Sequence, residues 1–338
     1  MKTYDIIFIT NLPAFYKLNL FNRIAKFKKL MVVFTHEQHK QRNADFCIGE
    51  RNFEYLSIAN KNGWVKLACI HQLIKGAQYN QLILGGWDHY TLWFAAFLSP
   101  LVKNAVIVES SIHDSKIKGI KGRVKKIFLQ RISKAYVSGK SQADLCMGLG
   151  FNGALVKTKG VGIFNLTPQP VFQPRDVVKN FIYVGRLSPE KNLAWLVTTF
   201  NELPNLRLTI VGYGPSENYL KSIAAENTSF LGAIPNRELY RIYQQNDVFI
   251  LPSLSEPWGL VVEEALNNGL PVIVSDKVGC AQEIVNNTNG IIFNLDDPKG
   301  LNNAIIKMLD IDFYNTLRFN ISRFDFEKIA EEQVKCYL

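Results

Sequence analysis

Short runs of consecutive apolar residues recur along the chain, separated by longer stretches in which apolar positions return every three or four residues. In the first half the runs are YDIIFIT (4–10), LMVVFT (30–35), QLILGG (81–86), AVIVES (105–110) and AYVSG (135–139). In the second they are FIYVGR (181–186), LRLTIVG (206–212), SFLG (229–232), DVFILPS (247–253), PVIVS (271–275) and GIIFN (290–294). Unbroken β-branched runs of this length predict strands buried on both faces, hence parallel sheets covered by helices. The intervening periodic stretches, such as 17–28 and 121–133, predict those helices. The expected fold is α/β, with two doubly wound Rossmann-like domains whose ligand lies in a cleft beyond the carboxyl ends of the strands.

NLTPQPVFQPRD (165–176), with three prolines, reads as the joint between the halves. The chain has 338 residues, too many for one ordinary core and sufficient for two. The expected domains are residues 1–168, residues 169–325, and a C-terminal helix, 326–338, able to return to the first domain.

Charge divides at the same place. Residues 1–170 carry 24 basic and 9 acidic side chains, a net +15, whereas the remainder carries 15 and 20, a net −5. The halves are therefore expected to meet different partners. KIKGIKGRVKKIFLQRISK (116–134) concentrates eight basic residues around Ile117, Ile120, Val124, Ile127 and Phe128. Its apolar side is expected to pack on its own sheet, with the lysines free to attract an anionic membrane surface. It has no helix-turn-helix, RNA-binding or zinc-finger signature, so nucleic acid is not an expected partner.

Other features narrow the class further. Five scattered cysteines without a CxxC pair argue against a disulfide framework or zinc site and suit a reducing cytosol. MKTYDIIFITNLP reads as a first strand and not a signal peptide, and the longest apolar stretch, TLWFAAFLSPLV, is too short to span a bilayer and contains a proline. A cytoplasmic protein, either soluble or peripheral on the membrane, is expected.

The segment SEPWGLVVEEAL (255–266) is the most informative for chemistry. It follows a strand, so SEPWG is a loop at the carboxyl end of the sheet and Leu260–Leu266 begins a helix. Free N–H groups at that helix start attract anions, and Gly259 permits close approach of a ligand. Glu256 lies just before the helix and Glu264 just over one turn inside it. Taken alone, Glu256 could cap the helix and Glu264 could be solvated like Glu263.

The wider pattern resembles the retaining nucleotide-sugar glycosyltransferases of glycosyltransferase family 4, which have the two-domain GT-B fold. YVGRLSPEKNL (183–193), IVGYGP (210–215), FLGAIPNREL (230–239), DVFILPSLSEPWGLVVEEAL (247–266) and GLPVIVSD (269–276) occur in family order and spacing across nearly all of the second domain. The resemblance implies that Arg186 and Lys191, beside Gly185, neutralise the donor diphosphate. It implies that Glu264 binds the ribose and that Glu256 lies beside the donor sugar. Backbone groups of Gly259, Leu260 and Val261 would contact sugar and phosphate, and Ile234 would lie near the base. Gly212 and Gly214 are assigned to a tight turn first and ligand proximity second.

The first half resembles the family only loosely. The loop TNLPAFYKLN (10–19) lacks the family's glycine pair, which assigns Tyr16, Lys17 and Asn19 to the acceptor side. Where members carry a histidine after the fourth strand, near the reacting sugar, VIVESSIHDSK places Glu109 or Ser110 on the acceptor side, and the resemblance makes His113, three to four residues later, a catalytic candidate beside Arg186, Lys191 and Glu256. Asp88, in GGWDHYT, joins the acceptor-side candidates but is better explained as a helix N-cap. Asp310 and Asp312 in DID mimic a metal-binding DxD of another glycosyltransferase fold; they lie after the last strand and read as solvated surface.

The expectation is thus a metal-independent hexosyltransferase with no cofactor. Its substrates would be a UDP- or GDP-sugar and a saccharide or lipid-linked saccharide, in bacterial surface polysaccharide assembly. An epimerase acting on the same donor and a non-catalytic carbohydrate- or membrane-binding protein are the alternatives.

Overall fold

The computed structural model describes residues 1–38 and 44–338. They form two compact units, Met1–Phe164 with Lys328–Leu338, and Asn165–Glu327. The first unit contains strands β1 (Lys2–Thr10), β2 (Leu30–Phe34), β3 (Glu54–Ser57), β4 (Ala77–Leu84), β5 (Asn104–Val108), β6 (Lys134–Val137) and β7 (Ala154–Lys157). They form one parallel sheet in the order β3-β2-β1-β4-β5-β6-β7. Its helices are α1 (Phe15–Ile24), α2 (Gly63–Gly76), α3 (Tyr90–Leu98), α4 (Gly119–Leu129) and α5 (Lys140–Gly148).

The second unit has strands β8 (Asn180–Val184), β9 (Arg207–Val211), β10 (Thr228–Gly232), β11 (Val248–Leu251), β12 (Val272–Ser275) and β13 (Gly290–Phe293). They pair in parallel in the order β10-β9-β8-β11-β12-β13. The helices that matter below are α6 (Leu193–Asn201), α7 (Glu217–Ile223), α8 (Leu239–Gln244) and α9 (Leu260–Asn267).

The apolar runs are strands because both faces of each central strand are covered. Ile7, Ile9, Val33, Leu82, Leu84 and Val106 belong to a core shared with Ile70 and Ile74 of α2, Leu92 and Ala95 of α3, and Phe128 of α4. In the second unit all of β11 and β12 is buried. Two strands were not among those expected, β3 with EYLS and β7 with only the short run ALV, and both are sheet edges with mostly exposed or half-buried side chains. Edge strands need not be hydrophobic on both faces.

Two expectations need correction. In α4, Phe128 and Leu129 join the core, but Ile120, Val124 and Ile127 are exposed, so much of the apolar side does not pack on the sheet. Asp88 does not cap α3. His89 takes that position, its Nδ1 accepting from the Thr91 N–H at 3.4 Å, while Asp88 is exposed. Asp310 caps the helix Ile311–Ile321, accepting from the Asp312 and Phe313 N–H groups, both at 3.1 Å. Of the helices described, none is long and apolar enough to cross a membrane.

Candidate functional site

In the second sheet the strand order reverses between β8 and β11, which lie side by side. Loops leaving such a pair diverge and open a crevice at the carboxyl ends of the strands. The loop after β8 carries Gly185, Arg186 and Lys191, and the loop after β11 carries Ser253, Ser255, Glu256 and Gly259. Sequence positions some 65 residues apart are thereby brought to one point, as the Lys191–Glu256 pair shows.

The loops are pinned to one another by backbone bonds. The Gly185 N–H donates to the Val211 carbonyl at 3.0 Å, and the Gly212 N–H donates to that of Gly232 at 2.7 Å. A Cβ on Gly212 would lie 1.9 Å from the Gly185 carbonyl oxygen, and its φ is +130°. This glycine is required by the close approach of two loops, which accounts for its presence without a ligand. The Leu254 N–H donates to the Glu190 carbonyl at 2.9 Å, tying the β11 loop to the β8 loop.

Lys191 ends a single tight helical turn, Pro189–Lys191. Its side chain is 10% exposed and its ammonium is ion-paired with the Glu256 carboxylate, itself 15% exposed. Arg186 pairs with Glu190 at 3.2 Å, and the Ser188 hydroxyl donates to the same oxygen at 2.6 Å. Burial pushes the Glu190 pKa up, but the Ser188 hydroxyl and the two neighbouring cations outweigh it and leave the carboxyl below its ordinary value. Both cations thus stand beside carboxylates.

Glu256 does not cap α9. The N-cap is Gly259, with φ +97° and no side-chain cap. A glycine here leaves the first amides of α9 without a side-chain acceptor from the chain's own cap, so the helix start keeps its attraction for anions. Leu260 and Val261 are half-buried at this end. The backbone of Glu256 is fixed by the Gly279 N–H, which donates to its carbonyl at 2.8 Å.

The two acids of α9 differ. Glu264 receives the Tyr243 hydroxyl at 3.2 Å, and burial pushes its pKa up to about 7 despite that bond. Glu263 is buried rather than solvated. It accepts the Trp258 indole N–H at 2.8 Å, and burial drives its pKa to about 8. Consecutive helix positions point about 100° apart, so one acid turns toward Tyr243 and the other into the core beneath the SEPWG loop. Ile234 lies half-buried in the turn after β10.

Sequence reasoning passed over Ser253 and Ser255. Both hydroxyl oxygens are buried without a hydrogen-bond partner among the described residues. Their place just before Glu256, within a loop at the switch point, was the signal available for them.

The first unit has its own cluster beyond the carboxyl ends of its strands. Lys17, buried on α1, pairs with Glu109 after β5 at 2.8 Å and donates to Thr10 Oγ1 and Asn11 Oδ1, both at 3.4 Å. Burial alone would lower the Lys17 pKa, but the carboxylate of Glu109 outweighs it and the ammonium is held charged. Tyr16 and Asn19 hold the segment after β7: the Tyr16 carbonyl accepts from the Ile163 N–H at 2.9 Å, and the Asn19 amide donates to the Ile163 carbonyl at 2.9 Å. Ser110 is half-buried and His113 is exposed, its backbone N–H donating to Ser111 Oγ at 3.3 Å. The structure therefore joins Lys17 to Glu109 and leaves His113 and Asp88 at the surface. Among the described residues no group of three or more His, Cys, Asp or Glu side chains is arranged to hold a metal.

The chain is similar to known proteins in part of its sequence and in its fold. Residues 171–324, just under half of the chain, match the family Glycosyl transferases group 1. The two parallel-sheet units have the GT-B fold. The solved structure of Anabaena HepE in complex with UDP-glucose superposes with a TM-score of 0.74 over 98% of each chain, at 14% identity. The lipopolysaccharide outer core galactosyltransferase WaaB gives 0.70 over 99% of this chain and 100% of that one, at 15% identity. In sequence, sulfoquinovosyl transferase SQD2 of Arabidopsis thaliana is 34% identical over 128 residues, 38% of this chain and 25% of the relative. The chain spans less than two-thirds of the length of the first curated relatives that it matches. The second unit is thus similar to a glycosyl transferases group 1 domain, in a chain of GT-B fold.

Proposed function

We propose that the protein is a retaining glycosyltransferase that moves a sugar from a UDP- or GDP-sugar to a saccharide or lipid-linked saccharide, without a metal ion. The observation that carries this reading is the Lys191–Glu256 pair at the sheet's switch point, beside Arg186 and the uncapped start of α9. As the bond from the anomeric carbon to the phosphate oxygen breaks, its electrons pass to the leaving diphosphate. Arg186, Lys191 and the α9 amides would neutralise that charge, a task a metal ion performs elsewhere. The acceptor hydroxyl attacks the anomeric carbon from the same face, and its proton passes to the departing phosphate oxygen. Glu256, relieved of Lys191, would accept hydrogen bonds from donor-sugar hydroxyls, and Glu264 from the ribose. The first unit's Lys17–Glu109 cluster is the proposed acceptor side.

The HepE complex with UDP-glucose supports a nucleotide-sugar donor, and the WaaB galactosyltransferase supports sugar transfer. The reading further places the protein in the cytoplasm, in bacterial surface polysaccharide assembly. The test is a panel of UDP- and GDP-sugars scored by thermal stabilisation. The stabilising donor is then incubated with saccharide acceptors and the product's anomeric configuration read by NMR. Transfer with retained configuration is expected without added metal and in the presence of a chelator. An inverted product, an epimerised donor with no acceptor consumed, or stabilisation by no nucleotide sugar would refute it.

A further inference from the structure

The exposed side of α4 has no role in the reaction above. Ile120, Val124 and Ile127 are 79, 45 and 49% exposed, and their spacing of four and three aligns them on one face of the helix. Lys118, Lys121, Arg123 and Lys126 are exposed around this ridge, and residues 116–134 contain no acidic residue. Lys125 is different: its ammonium bonds to Ser115 and to the Lys116 carbonyl, so it is committed to the local fold. The neighbouring α3 also exposes an aromatic ring. Phe97, 52% exposed, stacks on Trp93, which in turn packs on Phe128 of α4, and the Arg131 guanidinium lies 5.2 Å from the Phe97 ring centre.

We infer that this face of the first unit docks on an anionic lipid bilayer. Water-exposed aliphatic side chains in a row are unfavourable unless something apolar covers them. A cover that is apolar beneath and negative at its rim satisfies both the ridge and its cationic border; the acyl region and headgroups of an anionic leaflet are ordered in that way. The flexible lysine stems can lie along the ridge while their ammonium groups reach the phosphates. A nucleic acid would satisfy the charges but leave Ile120, Val124 and Ile127 in water. The inference deepens the acceptor side of the reading above, because a docked enzyme meets a lipid-linked acceptor in two dimensions.

The experiment contains no nucleotide sugar, so its failure is separate from failure of the transferase reading. The full chain is sedimented with vesicles of phosphatidylcholine alone, and with vesicles containing about one-third phosphatidylglycerol. Partition onto the anionic vesicles alone, weakening with salt, is expected. Ile120→Ser/Val124→Ser/Ile127→Ser should reduce it by roughly tenfold or more. Lys118→Gln/Lys121→Gln/Arg123→Gln/Lys126→Gln should reduce it by about a hundredfold or more and flatten the salt dependence. The single change Ile120→Asp, at a position too exposed to disturb folding, should weaken partition as well. No partition by the unmodified chain, equal partition by the serine and Ile120→Asp variants, or retention on duplex DNA in place of vesicles would overturn the inference.

Discussion

The Lys191–Glu256 pair allows its structural and ligand-binding roles to be separated in one double-mutant cycle. With side chains only 10% and 15% exposed, the pair is close to a buried ion pair, where solvent screening is weak. Lys191→Met leaves a buried carboxylate uncompensated, and Glu256→Gln leaves a buried ammonium in the same position. Each should cost on the order of 3 kcal/mol. The double variant, neutral and of similar volume, should cost about 1 kcal/mol or less, giving a coupling energy of several kcal/mol. At roughly 2–4 °C per kcal/mol for a unit of this size, each single change should lower the melting temperature by about 6–12 °C. Affinity for UDP or GDP, measured by calorimetry, should behave differently. Lys191→Met removes a charge-assisted contact worth about 1.5–3 kcal/mol, or roughly 10- to 150-fold, and the double variant should not recover it. Glu256→Gln removes the carboxylate that competes for the ammonium, so nucleotide affinity should hold or rise while sugar transfer falls. The reasoning is wrong if nucleotide affinity follows stability through the cycle, or if Glu256→Gln weakens UDP and GDP as much as Lys191→Met does.

The buried acid Glu263 makes a pH prediction. Its pKa rises from 4.5 to about 8 on folding, so it holds a proton that the unfolded chain has lost; its contribution is complete below about pH 4.5 and is lost as pH rises through 8. Glu263→Gln keeps an acceptor for the Trp258 indole and cannot ionise, so thermal melts should show it gaining on the unmodified protein from pH 5 to 9, by a few kcal/mol; parallel pH profiles would show that Glu263 is not buried as described. Gly212→Ala forces a Cβ to within 1.9 Å of the Gly185 carbonyl at φ +130°, and should cost about 3 kcal/mol or more in urea unfolding. An unchanged urea midpoint would remove the case that this glycine serves the close approach of the two loops.

What was legible in the sequence follows burial. Every strand buried on both faces announced itself as an apolar run, because the parallel sheet leaves no polar side to interrupt it. β3 and β7 were silent because edge position relaxes that demand, and β3 spends Glu54 on Lys2 and Tyr4 instead of on the core. Amphipathic periodicity located α4 but misjudged it: a period of 3.6 shows that one face is apolar and cannot say what covers it, and Ile120, Val124 and Ile127 turned out to face water. The acids of α9 show the same limit. Glu263 and Glu264 are adjacent and chemically identical, and only the positions of Trp258 and Tyr243 in space assign one to the core and the other to the face nearer Tyr243. The family resemblance did bring out Arg186, Lys191, Glu256 and Glu264 as a set, yet the partners were beyond it, since ion pairing between residues 191 and 256 depends on β8 and β11 being neighbours. Strand adjacency at the point where the winding reverses is therefore the physical link from a linear pattern to a charged site, and it explains why that site is both remote in sequence and compact in space.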